Sequence, residues 1–116
     1  MRVTLAFVLA ALFLAACSTA KPVSLSASRG FCNTAGGYGS TGDNDSGSGG
    51  SCMEQIKICA MFFDPLAEGV ADRASCLAQC GAVYAELFHV HVMDDCRLGV
   101  AQANDLCEEY CRGNFQ

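Results

Sequence analysis

Cys76-Leu77-Ala78-Gln79-Cys80 and, further along, Cys107-Glu108-Glu109-Tyr110-Cys111 decide how this chain folds. In each stretch two cysteines stand four apart, which is one turn on one face of a helix. In an antiparallel helical hairpin, residues that face one another share a constant index sum. Cys76 with Cys111 and Cys80 with Cys107 share the sum 187, which puts the apex between Met93 and Asp94. Asp94-Asp95 is a turn and N-cap signal on separate grounds, those of charge and capping. The spacing therefore predicts two antiparallel helices stitched by Cys76–Cys111 and Cys80–Cys107.

Outward from the stitches, helical periodicity continues. Cys76, Cys80, Val83, Tyr84, Leu87, Phe88 and His91 form one stripe. Cys96, Val100, Ala103, Cys107, Tyr110 and Cys111 form a second, and Gly113 stands where a helix C′ residue belongs. Upstream, Ser51-Cys52-Met53-Glu54 fits a capping box, and Cys52, Ile56, Cys59 and Phe63 fall on one helical face. Asp64-Pro65 reads as a break, with Asp as N-cap and Pro at the first helical position; Gly69 and Asp72 allow the main helix to begin near Asp72. The expected fold is all-α: a small disulfide-stapled bundle of about three helices, 52–63, 65/72–93 and 95–112, forming a domain over residues 52–113. The paired Cys-x-x-x-Cys layout resembles the twin-cysteine helical hairpins of small mitochondrial intermembrane-space chaperones. Here 26 residues separate the inner cysteines, more than in that family, so the resemblance is to a motif and carries no chaperone function.

Nine cysteines in 116 residues is high usage. One, Cys17, belongs to the leader discussed below, and the other eight are an even number in a chain that reads as exported. Disulfides are the default for such a set. Beyond the hairpin stitches, Cys32, Cys52, Cys59 and Cys96 allow three pairings. Cys52–Cys59 is disfavoured on one helix, because seven residues rise about 10.5 Å and a bridge needs Cα atoms within about 7 Å. The preferred set is Cys59–Cys96 with Cys32–Cys52. A domain of this size buries too little apolar surface to dispense with such staples.

The leader has three parts in order. Met1-Arg2 is positive, Val3 to Leu14 is apolar except for Thr4, and Leu14-Ala15-Ala16 precedes Cys17. The apolar run is too short for a membrane span. Leu14-Ala15-Ala16-Cys17 resembles the lipobox of bacterial lipoprotein precursors. The resemblance implies a signal peptide at residues 1–16 and a diacylglycerol thioether at Cys17. It further implies palmitate-type acyl chains that anchor the mature protein in the bilayer, since stable anchoring takes two lipid signals. By the same resemblance, Ser18 after the cysteine is permissive for export to the outer membrane, which implies the periplasmic face of the outer membrane over the inner membrane. Residues 17–51 follow as a lipidated cysteine and a Gly/Ser-rich linker, with eight Gly and eight Ser between 18 and 51. That composition reads as a disordered tether of roughly 30 Å. Asp43-Asn44-Asp45-Ser46-Gly47 with Glu54 echoes an EF-hand loop, but Gly47 and Ser48 stand at positions five and six, and polar linker is the better reading.

Chemistry is sparse. After Cys17 there are six Lys/Arg against twelve Asp/Glu, so no basic stripe suits nucleic acid. No Cys-x-x-Cys pair suggests a thiol oxidoreductase, and Arg112 is the one basic neighbour of a paired cysteine. Four thiolates at Cys76, Cys80, Cys107 and Cys111 are the alternative metal set, with Met53, Met61 and Met93 as soft donors for copper or zinc. His89 and His91 lie about 200° apart on a helix and cannot grip one ion there; they read as helix-end residues. Ser51, Ser75, Asp94-Asp95 and Glu108-Glu109 form no catalytic set. The expectation is a non-enzymatic binding or structural module of the cell envelope, with no cofactor and another envelope protein as partner. A periplasmic soft-metal protein is the alternative, and a thiol–disulfide exchange protein the third reading.

Overall fold

The computed structural model describes residues 21–35 and 52–116. The leader, Cys17, Ser51 and most of the EF-hand-like segment lie outside them. The described residues form four helices and no strand: α1 (Leu25–Ala35), α2 (Gln55–Ala67), α3 (Arg73–His91) and α4 (Arg97–Asn114). α2 and α4 pack on each other and each also packs on α1 and α3, so α1 and α3 flank a central pair. The helices alternate in direction. One end, the base, holds the start of α1 and the end of α4. The other, the apex, holds the α3–α4 turn and the starts of α2 and α4.

The hairpin forms as its spacing predicts. α3 buries Cys76, Cys80, Val83, Leu87 and His91, and α4 buries Val100, Ala103, Cys107 and Cys111. Cys76–Cys111 and Cys80–Cys107 are bridged, with Cα–Cα separations of 5.6 and 5.9 Å. Asp72 caps α3: its backbone is extended and its carboxylate accepts the Ser75 N–H at 2.7 Å. At the other end of α4, Gly113 continues the helix instead of ending it. The Asn114 side chain donates to the Tyr110 carbonyl and to the Val23 carbonyl, so the lead-in to α1 is pinned there.

α2 departs from expectation at both ends. It begins at Gln55, not Cys52, and Glu54 in the N-cap position makes no side-chain cap bond. It then runs through Pro65 to Ala67. Pro65 removes one backbone donor in the last turn, but Ile58, Cys59, Phe62, Phe63 and Leu66 form one buried stripe that spans it. Burying Leu66 outweighs the lost bond. Gly69, at φ 104°, ends the segment where a side chain would be strained.

α1 is the larger correction, because it lies inside the expected tether. Ser24 caps it by accepting the Ala27 N–H at 3.2 Å. Eleven residues with Gly30 and two serines are too short and too weak in propensity to hold a helix alone. Packing holds it: Ser28 and Cys32 are buried against α2 and α4, and Cys32 is bridged to Cys59. The remaining bridge is Cys52–Cys96. Both pairings differ from the preferred Cys59–Cys96 and Cys32–Cys52. The reason is the late start of α2. Cys52 and Cys96 each stand just before a helix, side by side at the apex, whereas Cys59 is a turn inside α2 and faces α1.

Candidate functional site

The apex collects the polar groups that the core excludes. α3 ends at His91, the turn Val92–Asp95 follows, and the Cys52–Cys96 bridge draws the start of α2 against it, with Cα atoms 4.7 Å apart. His91 closes the buried stripe of α3 and is 5% exposed, whereas His89 is exposed. The His91 ring meets the Asp94 carboxylate through Nδ1 at 2.7 Å. The other Asp94 oxygen accepts the Cys96 N–H at 2.9 Å, capping the entry into α4. On the far side of the ring, Nε2 stands 3.8 Å from Glu54, too long for a hydrogen bond, and Glu54 also faces Lys57 at 3.8 Å. The hydrogen bond from His91 holds the Asp94 carboxyl below the usual carboxylate range, with the Cys96 N–H adding to it and burial opposing it.

Around this cluster, exposed apolar side chains stand among exposed Lys57, Asp95 and Arg97. Met53 is 97% exposed and Met93 93%, and Ile56, Val90, Val92 and Leu98 are exposed as well. All six lie within six residues of Cys52 or Cys96, so they share one end of the molecule. Phe31, on α1, is the other large exposed hydrophobic residue among those described. Single exposed apolar residues are ordinary; a cluster of them at one end is the informative case.

Beneath the apex, Gln55 is buried where α1, α2 and α4 meet. Its amide donates to the Cys32 carbonyl at 3.1 Å and to the Cys59 sulfur at 3.4 Å. Its Oε1 has no hydrogen-bond partner and lies against Gly99, where an added Cβ would collide with it. At the base, Leu25, Ser26, Arg29, Phe63 and Ala67 line an open groove of about 420 Å³. Its one charge, Arg29, is paired to Asp64 at 2.6 Å.

The sequence-predicted residues are distributed as follows. Cys76, Cys80, Cys107 and Cys111 come together, but as two disulfides, which offer no thiolate to a metal. Of the soft donors, Met53 and Met93 stand at the apex and Met61 packs half-buried against the core. Glu54, Gln55 and the role of His91 were not legible as a site. The clue was Asp94 three residues after His91, a spacing that lets a carboxylate turn back onto the ring. No protein-family model, curated protein or solved structure matches the chain.

Proposed function

We propose that the chain is a lipid-anchored, non-enzymatic binding module of the cell envelope, held to the bilayer through acylated Cys17 and recognising another envelope protein with its apex. The observation that carries this reading is the gathering of exposed apolar side chains at the end opposite the base. Lys21 and Pro22 lie beside Gly113 at that base. Three residues, 18–20, separate them from Cys17, a reach of about 10 Å at 3.3–3.6 Å per residue. The leash is therefore short, because α1 takes up much of the expected 30 Å tether. α4, at 18 residues, extends about 27 Å from base to apex. A bilayer at the base leaves Met53, Met93 and Leu98 facing away from it. The partner implied is a protein with a complementary apolar surface.

Two measurements test this. Metabolic labelling with an alkynyl fatty acid is expected to mark the wild type and not Cys17→Ala, which should leave the membrane fraction. A photo-crosslinking residue at Met93 or Leu98 is expected to capture one envelope protein in intact cells, while the same residue at exposed Asp105, midway along α4, captures none. Equal capture at both places would overturn the apex as the recognition surface, and unchanged acylation of Cys17→Ala would overturn the anchor.

A further inference from the structure

The four bridges differ in their access to solvent. Cys32, Cys59, Cys76, Cys80, Cys107 and Cys111 are fully buried, whereas Cys52 and Cys96 are each 8% exposed. The bridge that solvent reaches is also the one with other donor groups beside it. A ring nitrogen of His91, a carboxylate oxygen of Asp94 and the Cys96 sulfur all lie within 4.8 Å of one another. The Cys52 sulfur is bonded to that of Cys96, and the Glu54 carboxylate faces His91 Nε2 from the opposite side.

We propose that the apex is a latent site for a closed-shell thiophilic cation, zinc(II), closed by the Cys52–Cys96 disulfide and opened by its reduction. A dithiol reductant delivers two electrons and two protons to the disulfide and becomes a disulfide itself, leaving thiols at Cys52 and Cys96. Zinc displaces both protons and bonds both thiolates. A ring nitrogen of His91 is the third ligand and a carboxylate, from Asp94 or Glu54, the fourth. Ligand atoms on tetrahedral zinc stand about 3.3–3.8 Å apart, given bonds of about 2.0–2.3 Å. Shifts of about an ångström or two, within a turn and two helix ends, therefore form the site: the sulfurs released from their bond, and His91 Nδ1 and Asp94 at 2.7 Å, move apart, while donors up to 4.8 Å apart close in.

Charge favours this over simple thiol exchange. Two thiolates and two carboxylates around one imidazole would repel one another, and a divalent cation relieves that repulsion. The remaining three bridges join α1 to α2 and α3 to α4, so opening the apex is a local event. The hairpin sulfurs do not compete, because all four are buried and both stitches would have to open. The site does not depend on whether the apex also docks a partner.

The test uses the mature chain with all four bridges formed. Limiting dithiothreitol opens one bridge, the reductant is removed without oxygen, zinc chloride is added, and native mass spectrometry counts bound zinc. Alkylation and peptide mapping are expected to locate the first thiols at Cys52 and Cys96, with one zinc bound to that species. Zinc should then protect both thiols from iodoacetamide. His91→Ala should weaken zinc binding at least about tenfold, and the Cys52→Ser/Cys96→Ser double variant should abolish it. If another bridge opens first, or the singly opened species takes no zinc, the proposal fails. It fails equally if the double variant binds as the wild type does. Where His91→Ala disturbs folding, zinc protection of the two thiols in the wild type decides the question alone.

Discussion

The middle of the α3–α4 hairpin and its apex are built from the same element pair and obey opposite rules. In the middle, Cys80 and Cys107, with Cys76 and Cys111 beyond them, are sealed together with Phe62 and Phe63, and the four cysteines have no solvent contact. At the apex, a bridge with partial access sits among a histidine, two carboxylates and six exposed apolar side chains. The middle presents no side chain of this set to solvent. The proposed recognition and metal chemistry both fall at the apex, where the bridge is the least buried of the four. Stability and chemistry are thus separated along a hairpin of under twenty residues per arm.

The sharpest way to break this comparison is to remove one bridge from each region. Cys80–Cys107 and Cys52–Cys96 close separations of 27 and 44 residues. Loop entropy alone values both at about 3.5–4 kcal/mol, with the apex bridge slightly ahead. Burial reverses the order. Cys80→Ala/Cys107→Ala also loses close-packed apolar contacts, worth about 1 kcal/mol more, whereas Cys52 and Cys96 each keep 8% of their surface exposed and lose fewer. Urea unfolding followed by circular dichroism should find the hairpin pair the costlier, at about 4.5 kcal/mol against about 4. An apex pair that costs as much as the hairpin pair would show that the two regions do not divide the work.

Which parts were legible in the sequence follows the same division. The hairpin could be read because two four-residue spacings and an independent turn signal agreed on one register. α1 could not, because Ser26, Ser28 and Gly30 have the composition of a linker, and the helix exists through its contacts with α2 and α4. The Cys32 and Cys52 pairings failed for a related reason. Placing Cys52 inside a helix put it on the wrong level, and a boundary error of three residues exchanged its partner. Of the candidate site, Asp94 was legible as a cap and His91 as a helix-end residue. The approach of Glu54 to His91 was not, since it crosses between elements joined by a bridge that the spacing could not assign.

Gly99 tests the seam between the regions. It lies just inside α4, and a Cβ there meets Gln55 Oε1. Gly99→Ala gains helix propensity but forces a buried side chain aside, and overpacking of this kind costs about 1–3 kcal/mol. Gln55→Ala would remove the obstruction along with the hydrogen bond to the Cys32 carbonyl. The two substitutions together should therefore cost less than their sum, a non-additivity that a double-mutant cycle in urea would read directly. Strict additivity would mean that the two residues do not press on each other.

Asp72 probes the end of α3 far from the apex. Its carboxyl is held below the usual carboxylate range by the backbone N–H of Ser75, with that residue's side chain behind it. A lowered folded-state value means that the cap contributes above the unfolded pKa and is lost as pH falls through the folded one. Asp72→Ala should thus lower the melting temperature modestly at pH 7. It should make no difference at a pH below both values. A penalty that persisted in acid would show that Asp72 acts through something other than its charge.

The smallest expected effect on stability is at the apolar surface itself, and there the comparison makes its most specific claim. Met93 and Leu98 are exposed and contribute little to the buried core. Met93→Ser and Leu98→Ser should each change unfolding free energy by less than about 0.5 kcal/mol. Both should nevertheless reduce partner capture by a crosslinker placed nearby at Met53. Val83→Ser, buried in the middle of α3, should do the reverse, destabilising the chain while leaving the apex of the molecules that remain folded competent to bind. If capture tracked stability across the three variants, recognition would belong to the fold as a whole. If it tracked position, the apex is a surface that the stitched hairpin holds out and does not itself require.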